Sequence, residues 1–214
     1  IAWVEVPFVS STSTRTIYMY YGNSSATYQP TNTAVWDSNY NGVWHLGEGD
    51  STASNFYKDS TSNANHGTLV DADGDTVQAN GKIGNALDLT GDADYIDVPD
   101  ILTTKVSALT AEAWLRDDSN GISLMNVVGG GNGMEYPSIN STVQWYDGTA
   151  WRVGTTLFKN DALHHVVFTF SSGTHSMYVD GVAEYSKDEG TYTDGGDIRA
   201  LGVYINLITI FTTG

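Results

Sequence analysis

The sequence predicts an all-β fold, an antiparallel β-sandwich of jelly-roll type with a β-hairpin at its N-terminus. Three observations carry this. Nearly every periodic segment alternates with period two, Gly, Asn and Asp clusters separate most of these segments, and no amphipathic helix of ten or more residues can be drawn. The 23 glycines against 4 prolines suit many tight turns. At 214 residues with 12% aromatics, including 13 Tyr and 6 Trp, the chain has the length and the apolar area for one large core.

In chain order, residues 3–9 (WVEVPFV) and 15–21 (RTIYMYY) alternate and flank the polar stretch SSTST, which predicts a hairpin, with Gly22-Asn23 as its closing turn signal. Residues 24–41 are a polar linker rich in Asn, Thr and Ser. A larger unit, 42–214, follows. Its expected strands are 42–46, 83–89, 94–98, 108–116, 121–128, 142–146, 150–157, 163–171 and 175–180, with a last apolar stretch at 201–211. In the stretch ALHHVVFTFSSGTHSMYVDGV (162–182), Val166, Phe168 and Phe170 should point one way and Val167 and Thr169 the other, with Ser172-Gly173 and Asp180-Gly181 as turns. Trp44 and Trp114 should be core residues.

Net charge is −16, which repels nucleic acid and anionic membrane surfaces and supplies oxygen ligands for hard cations. There is no cysteine, so disulfides and thiolate metal sites are excluded. No apolar run approaches the roughly 18 residues that span a bilayer, and no signal peptide is visible. A chain starting at Ile1 reads as a mature product or a fragment. Two Asn-x-Ser/Thr sequons, at Asn23 and Asn140, would accept N-glycans in a suitable host.

Five stretches in a fixed order carry a family resemblance: GVWHLGEG (42–49), DSTSNANHG (59–67), GKIGNALDLTGDADYIDVP (81–99), LTAEAWLR (109–116) and HHVVFTFSSGTHSMYVDGV (164–182). Over about residues 42–205 the chain resembles the concanavalin A-like lectin/glucanase superfamily, in particular the laminin-G-like jelly-roll domains of bacterial and archaeal surface proteins. Residues 1–23 resemble the C-terminal end of DUF2341, a domain of unknown function. Such domains usually continue past the equivalent of DIRALGVYIN (197–206) into a closing strand with an acidic start. The present LITIFTTG departs from that, so the resemblance implies a truncated or altered closing strand and an open sheet edge, which residues 1–21 would be placed to fill.

The paired histidines, His164 and His165, lead into a strand, and their expected role is structural. An enzyme of this fold would need two carboxylates flanking a sugar. The laminarinase-like Glu-x-Asp-x-x-Glu is absent, Glu112 has no second acid two residues away, and no serine-nucleophile, phosphate-loop or zinc motif is present. No catalytic residue is therefore expected.

Two stretches suggest calcium. Asp71, Asp73 and Asp75 alternate around Gly74, a spacing that converges oxygens on a hard cation; the alternative is a solvated acidic loop. The family resemblance implies a second site, with Asp59 and Asn63 near a structural Ca²⁺. For sugar binding, which stacks pyranose CH groups on exposed aromatic rings, the hairpin VQWYDGTAWRV (143–153) offers Trp145 and Trp151 close across the pair, Tyr146 on the other face, and Tyr136 nearby. The alternative is that one Trp is core and the other shields an edge.

Together these readings predict a non-catalytic extracellular module, in a secreted or cell-surface protein, that recognises a polysaccharide, a glycoprotein glycan or another surface protein. The competing readings are a structural or adhesive block that self-associates through strand edges, with residues 1–21 or 201–211 crossing between chains, and a polysaccharide-cleaving enzyme of the same fold.

Overall fold

The computed structural model describes residues 3–6, 8–25, 33–89, 94–99, 101, 108–116, 122–128, 134–136, 142–146, 151–157, 162–188, 197–201 and 205–211. After a short 3-10 turn at Thr33–Val35 come fifteen strands among the described residues. They are β1 Tyr40–Trp44, β2 Thr68–Val70, β3 Val77–Asn80, β4 Asn85–Asp88, β5 Tyr95–Asp97, β6 Ala108–Leu115, β7 Ile122–Val128 and β8 Met134–Tyr136. β9 Thr142–Tyr146, β10 Trp151–Leu157, β11 His164–Ser171, β12 Thr174–Val179, β13 Val182–Asp188, β14 Asp197–Leu201 and β15 Ile205–Phe211 complete the set. No α-helix occurs among the described residues, and none of these elements could cross a membrane as a long apolar helix.

Eight strands form one sheet in the order β13-β12-β11-β6-β15-β4-β3, with β1 also paired to β15. A second sheet runs β2-β5-β14-β7-β8, and β9 and β10 make a separate ribbon. One core cluster joins the two sheets: Trp44, Leu87, Ala111, Val166, Phe168 and Met177 from the first meet Leu69 and Ile96 from the second. The alternating burial of β6 and β11 is the direct consequence of their period-two sequence. Gly42 is needed because a Cβ there would run into the Trp44 indole, which is fully buried in the core.

Three expectations change. Residues 3–6 and 8–25 contain no strand, so the N-terminal hairpin is not formed. The side chains from Ile17 to Tyr21 stand 61–91% exposed, because alternation makes a segment fit for a strand without supplying a neighbour to bury it. The C-terminal stretch is an interior strand: β15 lies between β6 on one side and β1 and β4 on the other, so the expected open edge is absent there. Trp114 is half-buried on the outward face of β6, since its parity matches Glu112 and not the buried Ala111 and Ala113.

Candidate functional site

The histidine pair divides its work. His164 is buried and its Nδ1 lies 2.7 Å from Asp180 Oδ2, while Asp180 Oδ1 accepts the His165 N–H at 2.9 Å. Asp180 N–H returns to the His165 carbonyl at 2.8 Å. These contacts stitch the β12–β13 turn onto the start of β11, and they hold the Asp180 carboxyl below its ordinary range against the opposing effect of burial. On the outward sheet face His165 stacks on Trp114 at 5.1 Å, its Nε2 lies 3.2 Å from Glu112 Oε2, and Lys82 Nζ caps the indole at 5.0 Å.

Asp59 is a loop knot. Its Oδ1 accepts from Val43 N (3.0 Å) and Thr61 N (2.9 Å), and its Oδ2 from Thr61 Oγ1 (2.8 Å) and Asn65 N (2.9 Å). A carboxylate offers about four lone-pair positions, so protein donors take up this one. Asn63 Nδ2 donates to the carbonyls of Tyr40 and Asn41, which ties the same loop to β1.

The other acidic loop is arranged differently. Asp71, Asp73 and Asp75 are joined by Asp94, with one oxygen from each within 4.8 Å of the others, a group that could hold a metal ion. The antiparallel pairing of Val70 with Tyr95 brings Asp94 there, since it sets Asp71, just after β2, beside Asp94, just before β5. Asp94 is buried and accepts from Ala72 N at 3.0 Å and Thr76 Oγ1 at 3.2 Å. Gly74, at φ +82°, turns the loop, and its N–H caps Asp71 Oδ1 at 2.7 Å. The Asp73 carboxyl is raised above its ordinary range, first by a hydrogen bond with Asp75 and then by the crowding of its neighbours.

The β9–β10 ribbon carries the aromatic candidates. Its register sets Trp151 opposite Tyr146 and Arg152 opposite Trp145. The cross-strand aromatic pair is therefore Tyr146 with Trp151, not Trp145 with Trp151 as expected. The reason is the parity of the turn: the two tryptophans are offset by one pairing step. The side chains of Trp145, Tyr146, Trp151 and Tyr136 lie outside the described ones, as do the Asp147-Gly148 turn and the Gly-rich loop 129–133.

Two features have no single-motif signature. Asp94 joins the acidic group through strand pairing, which no local spacing encodes. An aromatic cluster forms where Trp3 meets Trp36 at 5.4 Å and stacks on His45 at 5.1 Å, with Tyr40 against Trp36 at 5.1 Å. It docks the start of the N-terminal segment beside β1. Burial there lowers the His45 pKa and raises that of Tyr40.

Comparison with known proteins agrees with this architecture. No curated protein matches the sequence. The model of a domain of unknown function, DUF2341, matches residues 1–66, which include the N-terminal segment and the Asp59 knot. Among solved structures, domain 4 of AbnA, an extracellular arabinanase from Geobacillus stearothermophilus solved with arabinotriose, is 17% identical at a TM-score of 0.61, over 81% of this chain and 92% of that one. The binding domain of Paraclostridial Mosquitocidal Protein 1 is 13% identical at 0.56, over 81% of this chain and 48% of that one. The ligand-binding domain of botulinum neurotoxin serotype D, in complex with N-acetylneuraminic acid, is 12% identical at 0.53, over 84% of this chain and 48% of that one. This chain thus spans about half the length of the two toxin chains, and identities this low establish the fold alone. The family model of the concanavalin A-like lectin/glucanases superfamily matches residues 90–204, more than half of the sequence, and the chain belongs to that superfamily.

Proposed function

We propose that this domain is a non-catalytic glycan-recognition module of a secreted or cell-surface protein, and that it contacts sugar through the β9–β10 ribbon with Tyr136 beside it. The observation that carries the reading is the register of that ribbon. It shares no ladder with either sheet and sets Tyr146 directly opposite Trp151, and directly opposed aromatic residues suit a pyranose face. The structural neighbours solved with arabinotriose and with N-acetylneuraminic acid support sugar as the ligand class. On the outward side of β6 and β11 the Glu112 carboxylate is engaged by His165, which favours a binding role over a cleaving one. In this reading the Asp71–Asp73–Asp75–Asp94 group holds a structural Ca²⁺ that fixes the loop between β2 and β3.

The test is calorimetric titration of the Ca²⁺-loaded chain with arabinotriose and with N-acetylneuraminic acid, beside a glycan array. Binding that Trp151→Ala weakens at least about tenfold, the scale of one lost aromatic stacking contact, is the expected result. Binding that Trp145→Ala and Trp151→Ala leave untouched would remove the ribbon from the site.

A second reading, assembly through strand edges, draws on one observation. Residues 15–21 keep a β-forming composition while Ile17 to Tyr21 stand exposed, outside any strand. Because β15 is an interior strand, the N-terminal segment is the better candidate of the two for such an exchange between chains. Sedimentation velocity over a hundredfold range of concentration decides it. A monomer throughout excludes assembly, and oligomers abolished by deleting residues 1–25 establish it.

A further inference from the structure

The ribbon shares no ladder with either sheet, yet one carboxylate fastens it. Val153 pairs with Gln144 and Leu157 with Thr142, so β10 takes four steps where β9 takes two. The surplus forms a bulge, and a bulge leaves backbone N–H groups without their cross-strand acceptors. Thr155 and Thr156 lie in it. Both of their N–H groups donate to Glu184 Oε2, at 2.5 and 3.1 Å. Thr155 Oγ1 donates to the same oxygen at 2.7 Å, and Thr156 Oγ1 to Oε1 at 2.5 Å. Glu184 itself belongs to β13, the edge strand of the eight-stranded sheet.

Successive N–H groups converging on one anion form a nest, and hydrogen bonds to an ionised acceptor are the strong kind. Here the nest and its anion sit on different sheets. The bulge is therefore the receptor half of a joint between ribbon and sandwich, and two adjacent threonines give it four donors where most residue pairs would give two.

We infer that Glu184 is the positioning residue of the ribbon: its carboxylate, seated in the Thr155–Thr156 bulge, sets where the Tyr146–Trp151 pair stands relative to the sandwich and thereby governs glycan affinity. The affinity clause rests on the ribbon being the glycan-contacting element; the joint itself does not. A neutral amide at position 184 keeps one acceptor oxygen but turns an NH₂ toward donors. A methyl group leaves the nest empty and open to a free carboxylate.

The experiment uses the full chain, with Glu184→Ala, Glu184→Gln and Trp151→Ala, in sodium acetate or in sodium chloride of equal ionic strength. Amide hydrogen exchange across residues 142–157 reads the joint, and titration with arabinotriose and N-acetylneuraminic acid reads the site. Glu184→Ala should speed exchange at Thr155 and Thr156 by about tenfold or more and weaken sugar binding. Acetate, but not chloride, should restore both by refilling the nest, and Glu184→Gln should fall between. Unchanged exchange, or acetate no better than chloride, overturns the joint. Faster exchange with undiminished affinity, in a chain that Trp151→Ala disables, overturns the positioning role and leaves the ribbon reading intact. Failure of wild type to bind either sugar removes the ribbon reading, and the exchange data then decide the joint by themselves.

Discussion

Asp59 is the one acid in DSTSNANHG (59–67), Asp73 is the middle one of three in DADGD (71–75), and their carboxylates live in opposite conditions. Asp59 is buried and accepts four protein hydrogen bonds, two on each oxygen. Asp73 is exposed and faces Asp71, Asp75 and Asp94, and its hydrogen bond with Asp75 and the neighbouring like charges raise its carboxyl above its ordinary range. The first carboxylate is satisfied by the protein and completes a fold. The second is a group of carboxylates that could hold a metal ion. What separates the two acids is thus the balance of donors and like charges around each.

The largest effect should come from Asp59. Asp59→Ala strands the N–H groups of Val43, Thr61 and Asn65 in a dry loop, and each buried donor without a partner costs about 1–3 kcal/mol. A loss of about 3 kcal/mol or more is expected in urea unfolding, with the same loss in Ca²⁺ and in EDTA. A loss that Ca²⁺ abolishes would move the metal to Asp59 and reverse the comparison.

Next comes the metal itself. A cation bound only by the folded chain stabilises it by about 2.7 kcal/mol at a free concentration a hundred times its Kd, or roughly 5–10 °C in Tm for a domain of this size. That rise should appear in wild type and vanish in Asp73→Asn and Asp75→Asn. In EDTA the sign inverts: Asp73→Asn should melt slightly above wild type, since it removes repulsion and no ligand is present to miss the charge. A wild-type melt that Ca²⁺ leaves unmoved would return this loop to a solvated acidic turn.

The sequence makes some of this visible and hides the rest, for identifiable reasons. β6 and β11 are legible because burial on one face imposes alternation residue by residue. The short strands β2, β3 and β8 are too brief to show a period, and β13 and β14 carry mixed polar residues. The N-terminal hairpin was expected because alternation reports fitness for a sheet, and a sheet also needs a partner, which no local pattern encodes. Trp114 looked like core because it is a tryptophan in a strand; only the parity with Ala111 and Ala113 sends it outward. In the candidate sites, Asp71, Asp73 and Asp75 are a local motif, but Asp94 arrives through the pairing of β2 with β5. Glu184 reaches Thr155 and Thr156 from about thirty residues away. Long-range convergence of this kind leaves no trace in spacing.

The smallest and sharpest contrast is in pH dependence. Glu184 is held down to about 2 by its four hydrogen bonds, which outweigh the burial that would raise it. Its contribution is present in full above the ordinary value of 4.5 and is lost as pH falls from there toward about 2. Asp73 is shifted the other way, so the folded state binds its proton more readily than the unfolded one. In the absence of metal its repulsion is present at neutral pH and relieved as pH falls through that raised value. Melting curves in EDTA should therefore place Asp73→Asn above wild type and Glu184→Gln below it at neutral pH. Both differences shrink on acidification, and the Asp73 difference closes first, at the higher pH. Calcium should invert the Asp73 difference, because the metal holds the charge that the proton otherwise neutralises, and leave the Glu184 difference where it was, because that carboxylate already has its donors. If one titration moved both differences together, the two carboxylates would belong to one coupled network, and the separation of a metal loop from a ribbon joint would not hold.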